Sequence, residues 1–156
     1  MNTLILYATK HGATKEIAQR IANSLGGATL HDLKLGSVPA LAGFDCVIIG
    51  SSLYAGSIRK EAKAFLSKPI GDLADKKVGL FLCGMDVNGE NKYFDLNFPK
   101  NILSLAKASG MMGGIYDPQK AGMFERLIMK VVTKKSAYTN TINDEKIKQF
   151  AEVMKS

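Results

Sequence analysis

Between the apolar run Leu4-Ile5-Leu6 and the segment beginning Lys15-Glu16-Ile17 lie Thr9, Lys10, His11, Gly12, Ala13 and Thr14. The apolar spacing changes there from near-continuous to every third or fourth residue, so a strand gives way to a helix across this turn. Hydroxyls, an imidazole and a glycine at such a junction are the materials of an anion site. A helix start presents unpaired backbone N–H groups and about half a positive charge, which stabilises a phosphate without a dedicated cation. Thr9 and Thr14 add hydroxyl donors, and Gly12 lets the backbone close on the oxygens. The same residues also suit a helix simply capped by Thr14 after a glycine turn, so the rest of the chain has to decide.

The elements around this turn follow from hydrophobic pattern. Buried strands are expected at Thr3 to Ala8, Cys46 to Gly50 and Val78 to Cys83, with shorter ones at Ala28 to His31 and Met111 to Tyr116. Ile17, Ile21 and Leu25 mark a helix that Gly26-Gly27 stops. Ala62, Phe65 and Leu66 mark a second, Ile102, Leu105 and Ala106 a third after Pro99, and Ile147, Phe150, Ala151 and Met154 a last one that Asn143 caps. Strands alternating with helices mean a parallel sheet covered on both faces, here a doubly wound α/β domain of five strands in the order 2-1-3-4-5. The whole chain, 1–156, is expected to be that single domain. Its ligand crevice lies at the carboxyl ends of the first, third and fourth strands. Three loops converge there: Thr9 to Thr14, Ser51 to Gly56, and Gly84 to about Tyr93.

Several phosphate chemistries are excluded by what these loops lack. There is no GxxxxGK followed by Ser or Thr, which removes the nucleotide triphosphatases. Only Gly12 stands where a dinucleotide fold needs three glycines, so nicotinamide is disfavoured. A phosphoacceptor receiver needs acids at the ends of the first and third strands, where this chain has Tyr7-Ala8-Thr9 and Gly50-Ser51-Ser52. Cys46 and Cys83 lie in apolar runs without metal-ligand spacing and read as buried thiols. Redox chemistry therefore needs another carrier, and no metal set is expected.

Composition bears on partners. The net charge is +7 and the pI near 9.4, a surface that attracts anionic membrane, nucleic acid or an acidic protein. Nucleic acid is disfavoured, because the basic residues are not interleaved with aromatics on a reading element. No apolar run reaches the ~18 residues of a membrane span, and no secretion signal opens the chain, so a cytoplasmic location is expected.

The residues YATKHGATKEIAQRIANSL resemble the opening of a flavodoxin, whose phosphate loop reads Thr/Ser-x-Thr-Gly-x-Thr. Thr9, Gly12 and Thr14 match, whereas His11 stands where the family usually has Thr and Ala13 where it often has Asn. The resemblance implies that Thr9, Lys10, His11, Gly12, Ala13 and Thr14 cradle the phosphate of FMN. IIGSSLYAGSIRKEAKAFL is similar to the family's third strand, flavin-contacting loop and following helix. This implies contacts from Ser51, Ser52, Leu53, Tyr54, Ala55 and Gly56, with Tyr54 stacking on the isoalloxazine and Gly56 letting a carbonyl turn toward flavin N5. In CGMDVNGENKY the implied contacts are Cys83, Gly84, Met85 and Asp86, the last three through their backbone. Tyr93 is a second aromatic at wider spacing than the family's. The chain also resembles the flavodoxin-domain branch that includes menaquinone-dependent protoporphyrinogen oxidase, through its turn after the third strand and the late segment MFERLIMKVVTKK, though it is shorter before that segment.

In that late segment Met123, Phe124, Leu127, Ile128, Val131 and Val132 share one helical face, with Arg126 and Lys130 opposite. The nearer expectation is a core helix on the sheet with a solvated basic back. The other is that residues 122–135 touch an anionic membrane from its inner face and bring a flavin near a quinone. Basic charge near the flavin would raise its reduction potential above that of an acidic flavodoxin. The resulting expectation is an FMN-binding flavodoxin-like electron carrier serving a protein or a quinone, with no catalytic acid or base. The alternatives are a protoporphyrinogen oxidase-type enzyme using a quinone acceptor and a flavin-free binding domain.

Overall fold

The computed structural model describes residues 1–69, 71–132 and 137–156, with Val132 described in its backbone alone. The first strand, β1 (Thr3–Ala8), is buried along its whole length because it lies inside a parallel sheet with helices on both faces. The chain leaves it through the Thr9–Gly12 turn into α1 (Ala13–Leu25), which ends at Gly26 in the left-handed region, φ 83°. There follow β2 (Thr29–Asp32), β3 (Cys46–Tyr54) and a short antiparallel return, β4 (Ser57–Ile58). Then come α2 (Lys60–Leu66), β5 (Lys77–Cys83), α3 (Glu90–Asn97), α4 (Lys100–Leu105) and β6 (Ala106–Met111). The chain closes with β7 (Ile115–Tyr116), α5 (Met123–Val132), β8 (Thr139–Asn140) and α6 (Asp144–Lys155).

The parallel sheet runs β2-β1-β3-β5-β6, the expected order with β4 as an appendage of β3. On one face α1 and α6 pack through Ile17, Ile21, Ile147, Phe150 and Met154 onto Ile5, Ile48 and Phe81. On the other, Ala62, Leu66, Phe94, Phe98 and Ile102 cover Leu4, Val47, Leu80 and Leu82. α1 and α2 thus lie on opposite faces, so the crevice between the carboxyl ends of β1 and β3 is the switch point where doubly wound sheets bind ligands.

Three elements differ from the sequence reading. The last strand of the sheet is Ala106–Met111, not Met111 to Tyr116, because α4 ends at Leu105 and passes directly into an edge strand whose small residues carry little apolar signal. α3 occupies much of the expected third loop, burying only Phe94 among its residues. The expected helix at 122–135 is present as Met123–Val132, but it lies in the chain between β7 and β8, an antiparallel pair outside the main sheet. Residues 133–136 of that expectation fall outside the described residues. The cover expected of that helix is supplied by α6, with Asn143 accepting from the Lys146 N–H at 3.0 Å as its cap.

Candidate functional site

The turn after β1 is built around an open helix start. Gly12 stands before α1 at φ 98°, which only glycine adopts without strain, and no side chain caps the helix. Thr9 Oγ1 instead accepts from the Gly12 N–H at 2.9 Å and closes the loop on itself. The first-turn amides of Ala13, Thr14 and Lys15 are left facing outward without a cap. Thr14 is fully buried and its hydroxyl has no hydrogen-bond partner, although the Cys83 thiol is close enough to feel it. Burial pushes that thiol up to about 11, with the Thr14 hydroxyl working the other way. Cys83 is therefore a packed neutral group rather than a nucleophile.

Ser51 pairs with Ala8 across the crevice and is buried, but its hydroxyl is spent inside the protein. It donates to the Ser52 carbonyl at 3.0 Å and accepts from the Arg59 N–H at 2.9 Å. Ser52 and Leu53 continue β3 toward Tyr54. Ala55 and Gly56 then form a two-residue hairpin turn, with φ 49° and 79°, joining Tyr54 to Ser57. Asn97 of α3 holds this turn in place. Its Nδ2 donates to the Gly56 carbonyl at 2.9 Å, and its Oδ1 accepts from the Ile58 N–H at 3.0 Å. The carbonyl of Gly56 itself is thus already engaged.

The third loop is also partly committed. The Gly84 N–H donates to the Gly113 carbonyl at 3.0 Å, and Met85 Sδ accepts from the Thr141 hydroxyl at 3.4 Å. Asp86 is exposed and accepts from the Tyr93 hydroxyl at 2.9 Å, a bond that, together with burial and the Asp86 charge, raises the Tyr93 phenol above its ordinary value. Tyr93 lies on α3 with its ring over Gly89, so the second aromatic of the sequence reading packs between loops rather than standing free.

Lys10 and His11 are both engaged by one carboxylate of α5. Lys10 Nζ lies 4.5 Å from the centroid of the Tyr54 ring and pairs with Oε1 of Glu125. His11 Nε2 is 2.8 Å from Oε2 of the same carboxylate. Burial alone would raise the Glu125 carboxyl, but the bonds from Lys10 and His11 outweigh it and hold it below the usual carboxylate range. Sequence reasoning missed Glu125 because nothing local ties residue 125 to residue 11. It also missed Arg59, whose backbone N–H bonds Ser51, whose Nε is buried without a hydrogen-bond partner, and whose only signal was a basic pair, Arg59-Lys60, after the second loop.

α5 is turned the opposite way from the core helix expected of it. Glu125 faces the loop, whereas Met123, Phe124, Leu127 and Val131 are exposed, Met123 by 88% and Val131 by 70%. Two surface hollows lie at the amino ends of the strands, one lined by Leu41, Phe65 and Ile102 and one by Asn2, Gly27 and Phe44, and neither reaches the three loops.

With this geometry in view the comparisons are decisive at the family level. A flavodoxin domain model matches residues 4–143. The chain belongs to the flavodoxin-domain family. Flavodoxin 2 from Bacillus cereus superposes with a TM-score of 0.63 at 22% identity, covering 99% of this chain and 98% of that one. A flavodoxin from Streptococcus pneumonia TIGR4 gives 0.62 at 16% identity, covering 99% and 98%. Rubredoxin oxygen:oxidoreductase from Desulfovibrio gigas gives 0.59 at 14% identity over 98% of this chain, which spans only 35% of that protein. No curated protein matches at a significant level. Membership of the flavodoxin-domain family implies a flavin, and the residues present suit its phosphate: an uncapped helix start and a buried hydroxyl without a partner are what such a group would complete.

Proposed function

We propose that this flavodoxin-domain protein holds FMN at the carboxyl ends of β1, β3 and β5 and passes electrons between it and a redox partner protein or a quinone. The observation that carries the reading is the open start of α1 beside the unpartnered Thr14 hydroxyl, at the switch point of the sheet. FMN supplies the redox chemistry when bound. The amides of Ala13, Thr14 and Lys15 hold its phosphate, and the macrodipole of α1 adds to their attraction. A threonine in a helix has two accessible χ1 rotamers, and in this reading the Thr14 hydroxyl leaves the Cys83 side to donate to the phosphate. Tyr54 offers an aromatic face at the rim, and Asn97 keeps the Ala55-Gly56 turn rigid beside it. Ser52, Leu53, Met85 and Asp86 shape the walls of the crevice.

The partner contact proposed is the outward face of α5 on an anionic membrane. Its exposed apolar residues Phe124, Leu127 and Val131 adjoin Arg126 and Lys130, the pairing that an anionic headgroup layer favours. Among the described residues no helix is long and apolar enough to cross a membrane, so this contact would be peripheral.

The test is reoxidation of the photoreduced, FMN-loaded protein under anaerobic conditions. Menaquinone in vesicles containing phosphatidylglycerol is expected to reoxidise the flavin faster than the same quinone in neutral vesicles. Reoxidation no faster with quinone, or with an added acceptor protein, than in buffer contradicts the electron-transfer reading. Supplying protoporphyrinogen as donor in the same assay tests the oxidase alternative through the appearance of porphyrin fluorescence, which is not expected.

A further inference from the structure

The orientation of α5 departs from what burial alone selects: its acid faces the protein, and Met123, Phe124, Leu127 and Val131 face water while Ile128 and Met129 are half-buried. Glu125 is the charged contact on its inward side. Only 16% of its side-chain surface is exposed, and its carboxylate is shared between Lys10 and His11 of the turn after β1. Lys10 in turn lies over the Tyr54 ring at the end of β3. The contact therefore clasps three elements across the space that a flavin reaching from the phosphate turn to Tyr54 has to cross.

We propose that Glu125 is a competing anion built into the flavin phosphate site: its carboxylate holds Lys10 and His11 until the phosphate of FMN takes them over, and the exchange releases α5 from the turn. The inference rests on the flavin reading above and adds an affinity-setting residue to it. A phosphate monoester brings about −1.5 to −2 charges and more acceptor oxygens than a carboxylate. It outcompetes Glu125 for Lys10 and His11, while the two anions repel if both stay. Until then the clasped form lowers the apparent affinity in proportion to its population. Glu125 is a positioning residue in this scheme, because it acts on the ligand through Lys10 and His11.

Glu125→Gln keeps the size of the side chain, replaces one of its two accepting oxygens by an amide donor and removes its charge. The variant is expected to bind FMN roughly fivefold more tightly than the natural chain, the scale set by a partly exposed ion pair. Riboflavin brings no phosphate to compete for Lys10 and His11, so the substitution should tighten FMN binding by more than it tightens riboflavin binding. Hydrogen exchange at residues 119–132 gives the second readout. FMN should speed exchange there in the natural chain, and ligand-free Glu125→Gln should already exchange at the faster rate. If the natural chain binds FMN and the variant binds it equally or more weakly, the competition is overturned while the flavin reading stands. Exchange at 119–132 that ignores both FMN and the substitution overturns the release of α5. Failure of both proteins to bind FMN overturns this inference together with the reading beneath it.

Discussion

Replacing Thr14 by valine should raise the melting temperature of the ligand-free protein while weakening its hold on FMN. The hydroxyl is buried and makes no hydrogen bond, so the fold carries the desolvation cost without the return. Valine keeps the branched shape and removes that cost, worth about 1 kcal/mol, or about 2–4 °C for a domain of this size. With phosphate bound the sign reverses. A hydrogen bond to a charged partner contributes about 1.5–3 kcal/mol, so FMN should bind roughly 10- to 100-fold more weakly to the variant. Riboflavin affinity should not change. Calorimetry of the free protein and flavin-fluorescence titration of both ligands give the two halves of the result. A lower melting temperature with unaltered FMN affinity would mean that the hydroxyl serves the core beside Cys83 and not the site.

The second large effect concerns the strand that carries the crevice. Gly50 lies in β3 beneath the ring of Phe81, and a Cβ placed there would stand 2.0 Å from the ring's Cζ. Phe81 is fully buried among Ile5, Ile17, Ile48 and Phe150, so it cannot swing into solvent. Gly50→Ala should therefore destabilise by about 3 kcal/mol or more, at the upper end of overpacking costs. The effect is read as a lower urea midpoint with unchanged slope. Adding Phe81→Leu should recover part of the loss, a coupling expected only if the two residues share the same space. A single variant as stable as the natural chain would mean that the sheet shifts to admit the methyl group, and the tight β3–β5 contact would no longer be the reason for glycine.

What the sequence disclosed follows the range of the interaction involved. β1, α1 with its Gly26 stop and the Asn143 cap are specified by neighbours a few residues apart, and each stands where the spacing placed it. The strand order followed too, since right-handed crossovers leave few arrangements. β6 was displaced because its residues, Ala106 to Gly110, are small apart from Lys107 and lie at an edge, where apolar pattern is weak. α5 shows the limit most clearly. Its amphipathic spacing was readable, but the contact that its inward side makes, Glu125 with Lys10 and His11, joins residues that are up to 114 positions apart in the sequence. Within the crevice, the turn at Thr9 to Thr14 could be read because a helix start has its own chemistry. The engagements of the Ser51 hydroxyl, the Gly56 carbonyl and the Gly84 amide could not, since each depends on a partner from another element.

The most direct test is a paired titration of the ligand-free protein with FMN and riboflavin, followed by quenching of flavin fluorescence. Several charge-assisted bonds from the α1 start to a phosphate should separate the two ligands by about a hundredfold or more in affinity. FMN binding with that margin is the expected result. Equal binding of the two flavins, or none, would contradict a phosphate cradle at Thr9 to Thr14 and reduce the turn to an ordinary helix start.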